Sequence, residues 1–149
     1  MAQKWTPPVV PKRQPGWEHA YAVTLERLAA QPFAWGQADC LTRVADLCEA
    51  MTGVNPLTSG SRRYRTAAGA ARTLARLGFT DIEQALASVF PPVPKSKARR
   101  GDCGVGIVNI GGEQMLSTFI VMGAQAVGSN ERGPVVVQTM QLKSTFSVG

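Results

Sequence analysis

The feature of this sequence best suited to chemistry is a thiol at the start of a helix. The irregular stretch Pro32-Phe33-Ala34-Trp35-Gly36-Gln37-Ala38 leads to Asp39 and Cys40. Helical spacing begins at once, with Leu41, Val44, Ala45, Leu47, Cys48 and Met51 recurring at three and four residues. Asp39 is placed to cap that helix, because its carboxylate can accept from an orphan N–H of the first turn. Cys40 then sits in the first turn, where the helix dipole and free N–H groups would stabilise a thiolate. A cysteine delivered this way can attack a carbonyl, provided a neighbouring group takes its proton and returns one to the leaving group. The competing reading is structural. Cys40 shares a helical face with Val44, Leu47 and Met51, and free cysteines are among the most buried residues.

The one histidine, His19, lies in a different segment, off the apolar stripe of its own helix and beside Val23 and Glu26. A surface or packing role is expected for it there. The three cysteines have no metal-like spacing, so no zinc site and no cofactor are expected. Cys40 and Cys48 are two helical turns apart, too far for a disulfide, and a reducing compartment is the simplest reading.

The elements that must position Cys40 follow from periodicity and punctuation. Trp17 to Ala30 reads as a helix with the stripe Trp17, Tyr21, Leu25 and Leu28, stopped by Pro32. The Cys40 helix ends at Thr52-Gly53. Ser59 to Tyr64 reads as a Gly/Ser/Arg loop, Thr66 to Leu77 as a helix closed by Gly78, and Asp81 to Phe90 as a short helix ended by Pro91-Pro92. Lys95 to Arg100 is a basic linker. Beyond it the period becomes extended, with strands expected at 105–110, 115–122, 125–128, 134–139 and 143–148. Helices followed by strands imply an α+β domain, with N-terminal helices packed on a C-terminal antiparallel sheet. The apolar face of the Cys40 helix is expected against that sheet.

Residues 1–16 contain Pro7, Pro8, Pro11 and Pro15 and read as an extended arm, leaving 17–149 as a single domain. Trp5 and Val9-Val10 are anchors through which the arm would order on a partner. At 149 residues and 44% hydrophobic, the chain can bury one real core. No apolar run approaches the ~20 residues of a membrane span, and the N-terminus lacks the apolar core of a signal peptide. The net charge of +6 is concentrated at Lys12-Arg13, at Arg62-Arg63 with Arg65, and from Lys95 to Arg100. Aromatics do not interleave with these charges as they do in single-strand binders, so solvated loops are expected rather than a nucleic-acid surface.

The order of these pieces resembles the NlpC/P60 superfamily of papain-like cysteine peptidases. There a Trp-Gly…Asp-Cys loop opens the nucleophile helix, and an Arg-Gly-Asp-like turn, here Arg100-Gly101-Asp102, enters the first core strand. A branch encoded with the tail tips of long-tailed phages and gene transfer agents is similar over about residues 17–128. The matching pieces are Phe33-Ala34-Trp35-Gly36, Asp39-Cys40, Ala45-Asp46, Thr52-Gly53-Val54-Asn55-Pro56, Arg63-Tyr64-Arg65, Gly69-Ala70 and Gly101-Asp102. The resemblance puts Cys40 at the nucleophile position. It puts Ser117, or a close neighbour, where the superfamily has its catalytic histidine, and Leu41-Thr42 where Ser-Gly follows the nucleophile. A serine is no base near neutral pH, so the resemblance implies a peptidase fold retained without peptidase chemistry.

What the resemblance then implies is a structural component of a phage tail tip or baseplate. It would sit in the virion, and in the host cytoplasm during assembly, in several copies. It would bind hub, distal-tail and fibre-bearing proteins. Trp5, Arg63, Tyr64 and Arg65 are the expected contacts. The alternative is an active tail peptidase cleaving peptidoglycan stems during genome entry. Cys40 would be its nucleophile, with a base from His19 or from a neighbouring subunit.

Overall fold

A computed structural model describes residues 6–149, with Ser59 described by its backbone alone. Helix α1 (Trp17–Ala30) buries Tyr21, Thr24 and Leu28. Helix α2 (Cys40–Thr52) starts in a reciprocal capping box: Asp39 accepts from the Thr42 amide, and Thr42 accepts from the Asp39 amide. It stops at Gly53, whose φ of 86° lies in the left-handed region. Helices α3 (Ala67–Arg76) and α4 (Ile82–Val89) are capped by Thr66 and Asp81, each through its side chain. The segment expected as a loop at 59–64 instead holds a short 3-10 turn, Ser59–Arg62, capped by Thr58.

Five strands follow: β1 (Cys103–Ile110), β2 (Glu113–Val121), β3 (Gln125–Asn130), β4 (Gly133–Gln138) and β5 (Ser144–Phe146). They form one sheet in the order β4-β3-β2-β1-β5, every neighbour antiparallel. The protein is therefore α+β, with α1, α2 and α4 sharing one core with the sheet. Leu47, Cys48 and Met51 from α2 join Tyr21 and Leu28 from α1 against Val105, Ile120 and Phe146. Burying a leucine fully is worth about 1.5–3 kcal/mol, so this seam fixes α2, and with it Cys40, on the sheet.

The opposite face carries a smaller cluster around Phe119, Val121, Ala126 and Leu142. Phe119 lies across glycines. A Cβ at Gly106 or Gly128 would come within 2.8 or 2.9 Å of its ring. Because both faces of β2 are apolar, its side chains are buried on alternate sides from Ser117 to Val121.

The described part of the N-terminal segment does not stand apart as the proline count suggests. Val10 packs against the main core, and the Gln14 amide donates to Met51 at 2.9 Å. Arg13 is drawn inward, its side chain 2% exposed, and pairs with the equally buried Asp102 at 2.8 Å. It also donates to the carbonyls of Val148 and Arg100 and stacks on the Trp17 ring. Asp102 accepts in addition from the Val148 and Arg99 amides. One carboxylate at the mouth of β1 thus ties together the chain start, the basic linker and the C-terminus. The domain begins before Trp17 because a buried acid needs that guanidinium. Trp5 lies outside the described residues.

Candidate functional site

The loop before α2 is built around Asp39, which is 1% exposed. Its Oδ1 accepts from the Thr42 amide at 2.9 Å. Its Oδ2 accepts from the Gly36 amide at 2.8 Å and from the Tyr64 hydroxyl at 2.6 Å. Gly36 has a φ of 79°, and a side chain there would collide with the carbonyls of Tyr64 and Arg62. Only glycine meets both demands. Arg62 closes the loop from outside. It pairs with both oxygens of Asp46, the nearer at 2.7 Å, and donates to the carbonyls of Gly36 and Gln37. The hydrogen bond to Asp46 raises the Arg62 pKa above its usual value. Burial, followed by the Asp39 charge and hydrogen bond, pushes the Tyr64 phenol well above its usual range.

These residues are the matching pieces around Trp-Gly, Asp-Cys, Ala-Asp and Arg-Tyr-Arg, and here they serve one another. Tyr64, an expected partner contact, stays partly exposed and gives its hydroxyl an internal role. Its hydroxyl turns inward because the buried Asp39 carboxylate needs a donor. Arg65 is exposed but donates to the carbonyls of Arg62 and Tyr64. Arg63 is exposed and makes no hydrogen bond or ion pair among the described residues. The basic clusters are likewise not all solvated, since Arg13 and Arg62 are internal struts.

Cys40 is partly exposed, whereas Cys48 and Cys103 are buried. Burial raises the Cys48 thiol pKa, and that of Cys103 well above its usual value. Neither is placed to react. Cys40 lines a cleft of about 350 Å³ between the end of α1, the start of α2 and strands β2 to β4. Apolar side chains, among them Leu25, Leu28, Phe33, Ile120 and Val127, form most of its wall. Arg43 also borders it. That guanidinium donates to the carbonyls of Leu28, Gln31 and Ala38, closing the C-terminal end of α1. Burial lowers the Arg43 pKa. Trp35 braces the loop on the far side. It stacks edge-on with Phe33 at 4.9 Å and donates to Glu131 in the β3–β4 turn at 2.9 Å.

No histidine, aspartate or glutamate lines the cleft. His19 is exposed near the start of α1, while the cleft meets that helix only from Leu25 onward. At about 1.5 Å rise per residue, the intervening turns hold the imidazole away from Cys40. The strand position expected to replace a histidine is also refined. Ser117 shares the strand parity of Phe119, on the far face, and does not line the cleft. Its neighbour Thr118 does. Thr118 is 1% exposed, and its Oγ1 has no hydrogen-bond partner among the described residues. Sequence reasoning leaves Ser117 and its neighbour Thr118 undecided because Leu116, Thr118 and Ile120 alternate with Ser117, Phe119 and Val121, and neither set reads as the solvent face.

A family model spans almost the whole domain, matching residues 12–148. The chain belongs to the family described as Domain of unknown function (DUF6950). No curated protein and no solved structure matches it. The span matched to the family takes in the Arg13 clamp, the Asp39 loop and every lining residue of the Cys40 cleft. Among the described residues there is no cluster of metal-ligating side chains, and no helix is long and apolar enough to cross a membrane.

Proposed function

We propose that this protein is a structural component of a phage tail tip or baseplate, built on a degenerate NlpC/P60-like fold that binds neighbouring tail proteins without cleaving them. One observation carries the reading: the cleft that Cys40 borders at the start of α2 has no histidine, aspartate or glutamate among its lining residues, and Thr118 is the β2 residue that borders it with Ile120. A threonine hydroxyl neither accepts the thiol proton at neutral pH nor returns one to a leaving amine, and losing that function costs about 10²–10⁴-fold in the step it serves. The retained motif residues have another use, since Gly36, Asp39 and Tyr64 hold the loop. On this reading the protein resides in the virion, in several copies, and in the host cytoplasm during assembly. Its partners are hub, distal-tail and fibre-bearing proteins, with Arg63 as the free cationic contact.

Partial exposure of Cys40 in an open cleft supports a second reading, an active tail peptidase with a histidine supplied by a neighbouring subunit. Assaying wild type and Cys40→Ala side by side for release of peptidoglycan peptides and for tail assembly separates the two. The structural reading expects no release from either protein and near-normal assembly by both. Cys40-dependent release would establish the second.

A further inference from the structure

Between Glu49 and Asp81 the chain carries five arginines and no acidic residue. Two of them are used inside the fold. Arg62 pairs with Asp46, and Arg65 donates to the carbonyls of Arg62 and Tyr64. Arg63, Arg72 and Arg76 are exposed and form no ion pair among the described residues. Arg72 and Arg76 stand one turn apart on α3, a spacing at which like charges repel, and that helix holds no acid to offset them. Positive charge left uncompensated in this way attracts an anion from solution.

Two of these free guanidiniums meet at one pocket. A hollow of about 310 Å³ between the 3-10 turn and α3 is lined by Arg63 and Arg76 with the hydroxyl side chains of Thr58, Ser61 and Thr73. Leu77 is the one apolar side chain among its lining residues, and no carboxylate is among them. The wall offers donors. Thr73 donates to the Gly69 carbonyl and accepts from Arg76 at 3.2 Å, so its hydroxyl hydrogen is used. The Thr58 and Ser61 hydroxyls share one bond at 3.0 Å, and Thr58 also accepts from the Ser61 amide. One hydroxyl hydrogen of that pair is left to give. Beside it stand the remaining N–H groups of Arg76 and the whole fork of Arg63.

Forked guanidinium donors match paired anionic oxygens, and two forks at one pocket call for more than one charge. A carboxylate brings two oxygens and a single charge. A phosphate monoester brings three oxygens and nearly two charges at neutral pH, enough to engage both arginines and the hydroxyl. The hollow is larger than a bare ion needs and leaves room for a small polar body beside the phosphate.

We infer that this pocket binds the dianionic phosphate of a small phosphate monoester, gripped by Arg63 and Arg76 and by one hydroxyl of the Thr58–Ser61 pair. The inference is independent of the tail-tip proposal and gives the free Arg63 a role without a second protein.

The test follows the backbone amides of the full chain by proton–nitrogen correlation spectra, at fixed ionic strength and about pH 7.5, where a monoester is largely dianionic. Glycerol 3-phosphate should give saturable shifts centred on residues 58–63 and 73–77, and inorganic phosphate should compete for the same signals. Acetate and dimethyl phosphate, each with one charge, should bind at least about tenfold more weakly, the loss of one charge-assisted hydrogen bond. Arg63→Gln and Arg76→Gln should each weaken glycerol 3-phosphate by about the same factor. Arg27→Gln, which removes an exposed charge from α1, should leave binding unchanged. Because Arg63 holds nothing in the fold, its variant keeps the test decisive should Arg76→Gln disturb α3. Shifts that do not saturate, equal binding of acetate or dimethyl phosphate, or indifference to both substitutions would overturn the inference. Binding of inorganic phosphate without the ester would overturn the monoester as ligand. A single-stranded oligonucleotide that binds more tightly than glycerol 3-phosphate, weakens steeply with salt and responds equally to Arg27→Gln would replace the pocket by a diffuse cationic surface.

Discussion

Replacing Asp39 by alanine tests whether the loop that presents Cys40 is held by its motif residues. Three donors converge on this carboxylate: the amides of Gly36 and Thr42 and the Tyr64 hydroxyl, at 2.8, 2.9 and 2.6 Å. Loss of an N-cap costs about 1 kcal/mol. Leaving the Gly36 amide and Tyr64 hydroxyl without an acceptor adds about 1–3 kcal/mol each, less whatever water recovers. Neighbouring losses are not additive, so the expected total is about 3–5 kcal/mol, a large share of the roughly 5–15 kcal/mol by which a domain is stable. Tyr64→Phe alone should cost about 1–2 kcal/mol, because Asp39 keeps its two amide donors. Since Asp39→Ala already orphans the hydroxyl, the double variant should cost less than the sum of the singles by about 1 kcal/mol or more. Urea denaturation at constant m-value measures all three. An Asp39→Ala cost below about 1 kcal/mol, or strict additivity with Tyr64→Phe, would refute the argument.

Other substitutions test the remaining parts. Arg13→Met strands the buried Asp102 charge and should cost about 3–5 kcal/mol, whereas deletion of residues 1–9 should cost far less; thermal or urea unfolding of both decides it. Thr118→Val removes an unpaired buried hydroxyl without opening a cavity and should raise stability by about 1 kcal/mol in urea unfolding. Cys40→Ala should cost on the order of 1 kcal/mol in denaturant unfolding, the loss of one sulfur at a partly exposed site. Stability should fall at alkaline pH. The folded chain holds the Tyr64 proton more tightly than the unfolded chain. That contribution is complete below the unfolded phenol value of about 10 and is lost as pH rises toward the folded one. Tyr64→Phe should flatten this part of the pH–stability curve. The remaining slope comes from Tyr21 and from the Cys48 and Cys103 thiols, all raised by burial.

The helices are legible in the sequence because their stops are chemical. Pro32, Gly53, Gly78 and Pro91-Pro92 end four apolar-periodic runs, and Asp39, Thr66 and Asp81 begin three of them. The hairpin strands are legible from β-branched runs broken by Gly111-Gly112 and Gly123. Two features are not legible. The first is Arg13, which in sequence is one more charge in a proline-rich arm. Its burial depends on Asp102, 89 residues away, and no local signal links them. The second is which side of β2 faces Cys40. A strand buried on both faces carries no polar alternation, so Thr118 and Ser117 are interchangeable until the helices are in place. The same distance effect hides the internal role of the Tyr64 hydroxyl, because its acceptor, Asp39, is 25 residues earlier.

The proposed tail-tip role is tested most directly by a cryo-electron microscopy map of any tailed particle that purifies with this chain. On the proposed role, the expected map holds several copies of the domain at the tail tip, with no histidine of any chain against Cys40. A tail tip from which the domain is missing would contradict the assignment. A histidine from an adjacent subunit seated against Cys40 would contradict the non-hydrolytic reading and establish the peptidase instead.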